Sequence, residues 1–434
     1  MQNVNRRKFL QIAGTGSAML AMNNFNCQNH SKTQTNFLIY LADDQYKDSV
    51  GCYGADPGHS HNIDKLAEQG MRFTRCFVQS SICTPNRGTL LTGMYPLKHG
   101  AHANHSGFYD GVKSLPNYMQ EIGYRACIVG KDGIQKPSDL YEWEFRIKKS
   151  DEHVPGADEP KHDRHRKTRF DEVEAFLNSD SSRPFCIFHA ASLPHSPALN
   201  EIPNGLKGYN AANWYMDYEL GRYMELLEKY NLENNTVVIY ANDNEAQLSR
   251  TKNTLYDTGL NVPFIVSWPG HIKAGSVSDA MVGFIDIMPT FMDIAGHQAP
   301  AVMDGKSMKD VWQGNTDRHH DEIYASYTGV NVGGGRLETP YPIRSIRTDK
   351  YKFIRYLNHM VPHPKFGKLF PAEELFDLER DPKEQHNLAA NPDYQQIKKE
   401  LSAKVDAWMQ RIGDKGIESE LATLEKYPPK DKKK

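Results

Sequence analysis

Five stretches of strand length consist almost wholly of apolar residues: 36–42, 126–130, 185–188, 236–241 and 262–266. Unbroken apolar runs, as opposed to alternating ones, belong to strands covered on both faces, as in a parallel sheet with helices on each side. Helical periodicity occupies the intervals at 62–70, 115–123, 170–177 and 214–230. This alternation predicts a doubly wound α/β domain over residues 31–320, with a mixed but mostly parallel sheet. A chain of 434 residues exceeds the size at which single cores stop growing, so a second, smaller part is expected. Short antiparallel strands at 343–347, 350–357 and 374–378, then a helix at 394–412, predict a C-terminal α+β subdomain over 321–425. Residues 426–434 read as a basic, frayed tail, and the charged span 137–169 as an excursion across the surface beside the cleft.

The residues at the carboxyl end of each apolar run matter as much as the run itself. The first run ends in Asp43-Asp44, the fourth in Asn242-Asp243-Asn244. The second leads to Lys131, the third to His189 and His195, and Arg250 and Lys252 precede the fifth. Open α/β sheets bind ligands at the carboxyl ends of their strands, so these groups converge on one edge. Three carboxylates and two amide oxygens are hard ligands, suited to Ca²⁺ or, less well, Mg²⁺ rather than zinc. Together with the lysines they predict a metal-assisted site that handles an anion. His189, inside its strand, reads as structural.

The stretch Cys83-Thr84-Pro85-Asn86-Arg87-Gly88-Thr89-Leu90-Leu91-Thr92-Gly93 predicts a short helix, with Thr84 as N-cap and Pro85 in its first turn. Cys83 would then lie just outside the positive end, where free N–H groups favour a thiolate, an alkoxide or a bound oxyanion. Arg87 would reach back toward it.

Cys-x-Pro-x-Arg running on to Thr92-Gly93 resembles the signature of the type I, formylglycine-dependent sulfatases, members of the alkaline phosphatase-like superfamily. The resemblance extends from Asn36 to about Leu388. It includes Leu41-Ala42-Asp43-Asp44, Asp243-Asn244, Thr254-Leu255-Tyr256, Asp286-Ile287-Met288-Pro289-Thr290, Arg347-Thr348-Asp349-Lys350 and Glu374-Leu375-Phe376-Asp377. It implies that a maturation enzyme oxidises Cys83 to formylglycine (3-oxoalanine), whose hydrate is the nucleophile. Asp43, Asp44, Asp243, Asn244 and the modified Cys83 would hold one calcium ion. Lys131, His195 and Lys252 would surround the sulfate, and Arg87 would orient the nucleophile. Two positions depart from the family pattern. Gly133 stands where a histidine is common, and Asn242-Asp243-Asn244-Glu245 replaces a Ser-Asp-led stretch, placing Glu245 as an added charge beside the metal or a substrate contact. His99, His102 and His105 recur every three residues; a zinc site is one reading, a sugar-binding wall of the cleft the other, with His99 and His102 facing substrate.

Asn5-Arg6-Arg7-Lys8-Phe9-Leu10 followed by a short apolar run reads as a removable twin-arginine-type signal over residues 1–30, implying a periplasmic or secreted protein, with Cys27 a weak lipid attachment point. No later run has the length of a membrane span. A net charge of −2 argues against a nucleic-acid binder. Six cysteines, several within apolar runs, do not form a disulfide framework, although a Cys52–Cys76 pair remains open. The expected activity is hydrolysis of sulfate esters on a sulfated carbohydrate. Alternatives are a sulfamidase, a phosphodiester or phosphonate hydrolase, and a non-catalytic sulfated-sugar-binding relative.

Overall fold

Strand β1 (Asn36–Asp43) is buried at every position and lies at the centre of a nine-stranded sheet. The computed structural model describes residues 34–55, 59–131, 142–157, 166–180, 182–195, 199–248, 250–333 and 336–428. The signal-like segment with Cys27, the pair Asp132-Gly133 and the tail from residue 429 lie outside the described residues.

The remaining strands of the large sheet are β2 (Met71–Phe77), β3 (Arg125–Gly130), β4 (Phe145–Ile147), β5 (Phe185–Pro194), β6 (Thr236–Asn242), β7 (Asn261–Ser267), β8 (Ser276–Ser278) and β9 (Val282–Gly283). Their order is β4-β3-β5-β1-β6-β7-β2-β8, with β9 also against β2. The five strands β4 to β6 on this path run parallel, while β7 is antiparallel to both β6 and β2. Helices α1 (His61–Gln69), α2 (Cys83–Thr92), α3 (Pro96–His99), α4 (Leu115–Glu121), α5 (Phe170–Ser179) and α6 (Gly208–Lys229) fill the connections up to β6. Later come α7 (Asp257–Leu260), α8 (Ile287–Ile294) and α9 (Lys309–Trp312).

Side chains alternate across β1. Phe37, Ile39 and Leu41 enter one apolar layer, with Val237 and Ile239 of β6 and Phe291 of α8. Leu38, Tyr40 and Ala42 enter the other, with Val238, Met216 and Leu220. Burying each large side chain contributes about 1.5–3 kcal/mol, so a strand buried on both faces is the natural centre of the sheet.

A second, four-stranded antiparallel sheet is built from β10 (Glu322–Tyr327), β11 (Ile343–Thr348), β12 (Tyr351–Tyr356) and β13 (Glu373–Asp377). Ile346, Phe353 and Leu375 on one face pack on Leu401, Val405 and Trp408 of α10 (Gln395–Ile412). Ile354 and Phe376 on the other join the core of the large sheet. The sequence does not show β10, or α11 (Ile417–Lys426), which lies in the expected subdomain and ends on Lys426, the first residue of the expected tail. The helix is pinned by Glu420, whose carboxylate accepts the Tyr341 N–H at 2.7 Å; a contact between residues 79 positions apart leaves no local pattern. Cys52 and Cys76 are free thiols, so that pairing is not made. Among the described residues no helix is long and apolar enough to cross a membrane.

Candidate active site

The parallel register brings four strand ends together. Ala42 of β1 pairs with Asn242 of β6, and the Asp243 N–H donates to the Ala42 carbonyl at 3.1 Å. On the other side Gly130 pairs with Ala190, and the Lys131 N–H donates to the Ala190 carbonyl at 2.7 Å. Successive residues of a strand point to opposite faces, so Asp43 and Asp44 ought to diverge. They do not. The pairing of β1 with β5 slips between Leu41 and Asp43, and Asp44 takes a left-handed backbone, φ +62°, a conformation that aspartate tolerates better than most residues. The Asp44 N–H donates to Asp243 Oδ1 at 3.2 Å, and Asn242 clamps the next residue through Gln45 N (3.0 Å) and Gln45 O (2.7 Å).

Into this edge α2 delivers the cysteine. Ile82 is the N-cap, in extended conformation, and Cys83 is the first helical residue, not the residue before a Thr84 cap. The Thr84 hydroxyl instead accepts the His105 N–H at 3.0 Å, holding the following loop. Cys83 Sγ lies 3.4 Å from Asp43 Oδ1, 3.8 Å from Asp44 Oδ1 and 3.5 Å from Lys252 Nζ. One ligand atom each from Asp43, Asp44, Cys83 and Asp243 falls within 4.8 Å of all the others, and all four residues are buried.

Three cations face these three carboxylates. Arg87 Nε donates to Asp243 Oδ2 at 2.8 Å, and its NH2 nitrogen lies 3.7 Å from Asp43. Lys131 Nζ bonds Asp43 Oδ2, and Lys252 Nζ bonds Asp44 Oδ2 at 2.7 Å. His195 Nε2 is 3.5 Å from Asp44 Oδ2. The loop carrying Lys252 is held by Asn253, also left-handed, whose N–H donates to Ser81 O at 3.2 Å.

These charges set the protonation states. Burial pushes the Asp43 carboxyl up, but Lys131 and Arg87 overcome that and hold it well below the usual carboxylate range. Asp243 is pushed up to about 7 by burial and by the charge of Asp43. Burial, then Asp243, drives the Cys83 thiol well above its ordinary value. The helix terminus therefore does not yield a thiolate here, because desolvation and two carboxylates outweigh a macrodipole effect of about 0.3–1 kcal/mol.

The donor set fits a hard divalent cation. Asn244 Nδ2 donates to Asp44 Oδ1 at 2.7 Å and to the Glu245 carbonyl at 2.9 Å, which leaves its buried Oδ1 without a hydrogen-bond partner. Two guanidinium nitrogens of Arg87 are likewise buried without hydrogen bonds. An amide oxygen without a donor and carboxylates in excess of one suit a cation, and guanidinium donors without an acceptor suit an anion.

Every metal ligand and every catalytic residue expected from the sequence is at this edge; three expected substrate contacts are not. His99 is fully buried, with Nε2 against Pro85 O at 3.2 Å and Thr89 Oγ1 at 3.3 Å. It packs on α2 where a Cβ at Gly88 would come within 2.6 Å of the imidazole. His102 is buried with Nε2 on Thr423 Oγ1 at 2.7 Å. Burial lowers both, to about 3 and about 4, so they are neutral packing groups that form neither a zinc site nor a cleft wall. Glu245 is turned away: its Oε1 accepts the Lys47 N–H at 2.8 Å, and burial pushes its carboxyl up to about 8, so it adds little charge near the cluster. His189 is structural as expected, its Nδ1 within 2.8 Å of Tyr223 OH.

Sequence reasoning missed Lys148, Lys149 and Arg166, which with Lys131 line a cavity of about 530 Å³ beside the cluster. Their signal was present in the charge of the 137–169 span, but without the pairing of β4 to β3 nothing aimed it at Lys131. A larger cavity, of about 870 Å³, lies elsewhere and touches none of the cluster residues.

The family profile described as sulfatase matches residues 35–297, and the profile described as N-sulphoglucosamine sulphohydrolase, C-terminal, matches residues 250–411. An ulvan-active sulfatase of Formosa agariphila is 35% identical over 418 residues, covering 87% of this chain and 80% of its own length. An N-acetylglucosamine-6-O-sulfatase of Bacteroides thetaiotaomicron is 22% identical, covering 91% of this chain and 90% of its own. A protein solved in complex with its substrate D-glucosamine-2-N,6-O-disulfate superposes with a TM-score of 0.69 at 20% identity, over 89% of this chain and all of that one.

Proposed function

The chain belongs to the sulfatase family of the alkaline phosphatase-like superfamily and is a sulfuric ester hydrolase, and from that premise we propose that it removes sulfate from a sulfated carbohydrate, using a formylglycine made from Cys83 beside a calcium ion held by Asp43, Asp44, Asp243 and Asn244. The observation that carries this reading is the buried cluster of Asp43, Asp44, Cys83 and Asp243 ringed by Arg87, Lys131 and Lys252. With Asp243 ionised, as metal binding requires, three carboxylates and three cations balance; a dication added to them leaves two positive charges for an anionic ester.

A buried neutral thiol is a poor nucleophile, whereas the hydrate of an aldehyde at the same position carries two hydroxyls. One gives up its proton to water and attacks sulfur as the bond to the sugar oxygen breaks, and that oxygen takes a proton from His195 or Lys252. The second hydroxyl then gives its proton to water as the bond from carbon to the sulfate oxygen breaks, which releases sulfate and restores the aldehyde. Lys131 and Lys252 would hold sulfate oxygens, and Arg87 would orient the nucleophile. The calcium ion, when bound, supplies Lewis-acid stabilisation of the sulfate and of the attacking oxygen.

A polyanionic saccharide suits the basic cavity lined by Lys131, Lys148, Lys149 and Arg166. The named activities of the relatives, on ulvan and on an N-acetylglucosamine 6-sulfate, support the same substrate class. A second reading, cleavage of an N-linked sulfate, is favoured by the C-terminal profile over residues 250–411. The signal-like N-terminus supports action outside the cytoplasm.

The test combines two measurements on protein co-expressed with a formylglycine-generating enzyme. Mass spectrometry of the tryptic peptide 76–87 reads conversion of Cys83. Sulfate release is then followed on ulvan oligosaccharides, on 6-O-sulfated and on N-sulfated glucosamine. Conversion with repeated turnover on an O-sulfated sugar is expected, and Cys83→Ser, if not itself converted, gives at most one turnover. Preferential release from the N-sulfated sugar selects the sulfamidase reading. Fully converted protein that releases sulfate from none of them overturns both.

A further inference from the structure

Asp286, His319 and His320 form a second cluster, apart from the catalytic one, in which one ligand atom each lies within 4.8 Å of the others. Asp286 closes the turn of residues 284–286, ahead of α8, and His319-His320 precede β10, so the cluster joins the two sheets' connecting segments. Its carboxylate is fully buried and already fixed by backbone: the Gly283 N–H donates to Oδ2 at 2.9 Å and the Lys306 N–H to Oδ1 at 3.0 Å. His320 Nε2 stands 2.9 Å from both oxygens, and His319 Nε2 stands 3.3 Å from Oδ2.

Hydrogen bonding alone does not account for this arrangement. A carboxylate offers about four lone-pair positions, and the N–H groups of Gly283 and Lys306 together with His320 Nε2, which faces both oxygens, already make four contacts to them. His319 is the one left out. Its side chain is 5% exposed, and its Nε2, at 3.3 Å from Oδ2, has that ion-pair contact but no well-directed hydrogen bond. A buried polar nitrogen in that state costs roughly 1–3 kcal/mol unless something else accepts its lone pair.

We propose that Asp286, His319 and His320 form a binding site for a divalent transition metal, separate from the catalytic cation and open to the cavity of about 870 Å³ that both histidines line. Two imidazoles and a carboxylate are the ligand types of zinc and related borderline ions, not of calcium. With metal–ligand bonds of about 2.0–2.1 Å, tetrahedral ligand atoms sit roughly 3.3–3.4 Å apart. The His319–Asp286 separation of 3.3 Å already matches, and the His320 separation of 2.9 Å requires His320 to withdraw by a few tenths of an ångström. The backbone bonds from Gly283 and Lys306 are the outer contacts that orient a ligating carboxylate. Both histidines line the cavity, whose polar lining also includes Arg75 and Arg318.

The experiment titrates Zn²⁺ into the full chain in excess Ca²⁺, which fills the catalytic cluster, and reads binding by calorimetry and thermal unfolding. One Zn²⁺ per chain at micromolar or tighter affinity is expected, with a melting temperature raised by a few degrees, since a ligand that binds only the folded state stabilises it. Co²⁺ in place of zinc is expected to give the visible absorption of a four- or five-coordinate site. His319→Ala abolishes binding, and His320→Asn, which keeps a polar side chain should the alanine variant fold poorly, weakens it at least tenfold. Zinc binding that is absent in the wild type, or equally tight in folded His320→Asn, overturns the proposal. A crystal soaked in Zn²⁺ decides the location directly: anomalous density among these three residues supports it, and density only at Asp43, Asp44 and Asp243 refutes it.

Discussion

Lys252→Met tests the division of labour in the catalytic cluster. The Lys252 ammonium bonds Asp44 Oδ2 at 2.7 Å and lies 3.5 Å from Cys83 Sγ, so on the proposed reading it touches both a calcium ligand and the nucleophile. Methionine keeps the length of the stem and removes the charge. Loss of one buried donor aimed at transition-state charge costs about 2.7–4 kcal/mol, which is a 10²–10³-fold fall in kcat/KM. The cation should respond in the opposite direction. A unit charge at about 4 Å is worth about 4 kcal/mol at an effective dielectric of 20, and removing an ammonium that competes for Asp44 frees that carboxylate for calcium. Calcium affinity is therefore expected to rise at least tenfold while turnover falls. Steady-state sulfate release and a calorimetric Ca²⁺ titration at fixed ionic strength read the two effects separately, and a melting curve checks the fold. A variant with normal melting behaviour whose calcium affinity drops together with its activity would show that Lys252 supports the metal site and does not compete with it, refuting the charge argument.

Chelation of calcium is expected to abolish sulfate release, with activity restored by Ca²⁺ more fully than by Mg²⁺; activity that survives exhaustive chelation contradicts the assigned ligand set. Lys148→Ala should raise KM for a polysulfated oligosaccharide several-fold, leave kcat within about twofold and have less effect on a monosulfated sugar, because a cavity-lining cation contributes to binding and not to the chemical step. An equal change for both substrates would remove the polyanion argument. Glu245→Gln should change kcat/KM less than about threefold, since its carboxyl is engaged with the Lys47 N–H and turned from the cluster; a large loss would return it to the site. Asp217 accepts the Ile63 N–H of α1 at 2.9 Å, and its carboxyl is pushed from 3.8 up to about 6 by burial and, more weakly, by Asp64. A raised carboxyl stabilises the fold only below the unfolded value. That contribution, about 3 kcal/mol, is lost as pH rises from about 4 through 6. Urea unfolding across that range should accordingly show Asp217→Asn gaining on wild type as pH rises, and parallel profiles would disprove it.

Much of this architecture is legible in local pattern alone. Continuous apolar runs marked β1, β3, β5, β6 and β7 because burial on both faces removes the polar half of the strand pattern, and the candidate ligands Asp43 and Asp243 follow within two residues of such runs. Elements without that signal escaped. The six residues of β10 show only a short alternation, and α11 is held by Glu420 and Thr423 across distant contacts. The His99–His102–His105 spacing misled, since recurrence along a chain does not bring side chains to one surface: α3 ends at His99, and His99 and His102 are both buried.

The sequence by itself determined the class of fold, the edge of the sheet that carries chemistry and the residue types gathered there, because periodicity and strand-end composition are local properties. Tertiary structure decided the rest. A slip in pairing and a left-handed Asp44 turned two neighbouring carboxylates into one buried cluster, and the depth of Cys83 kept its thiol neutral. The direction a side chain takes and the dielectric around it are set by contacts between residues tens to hundreds of positions apart, as between Asp44 and Lys252, which no local pattern encodes.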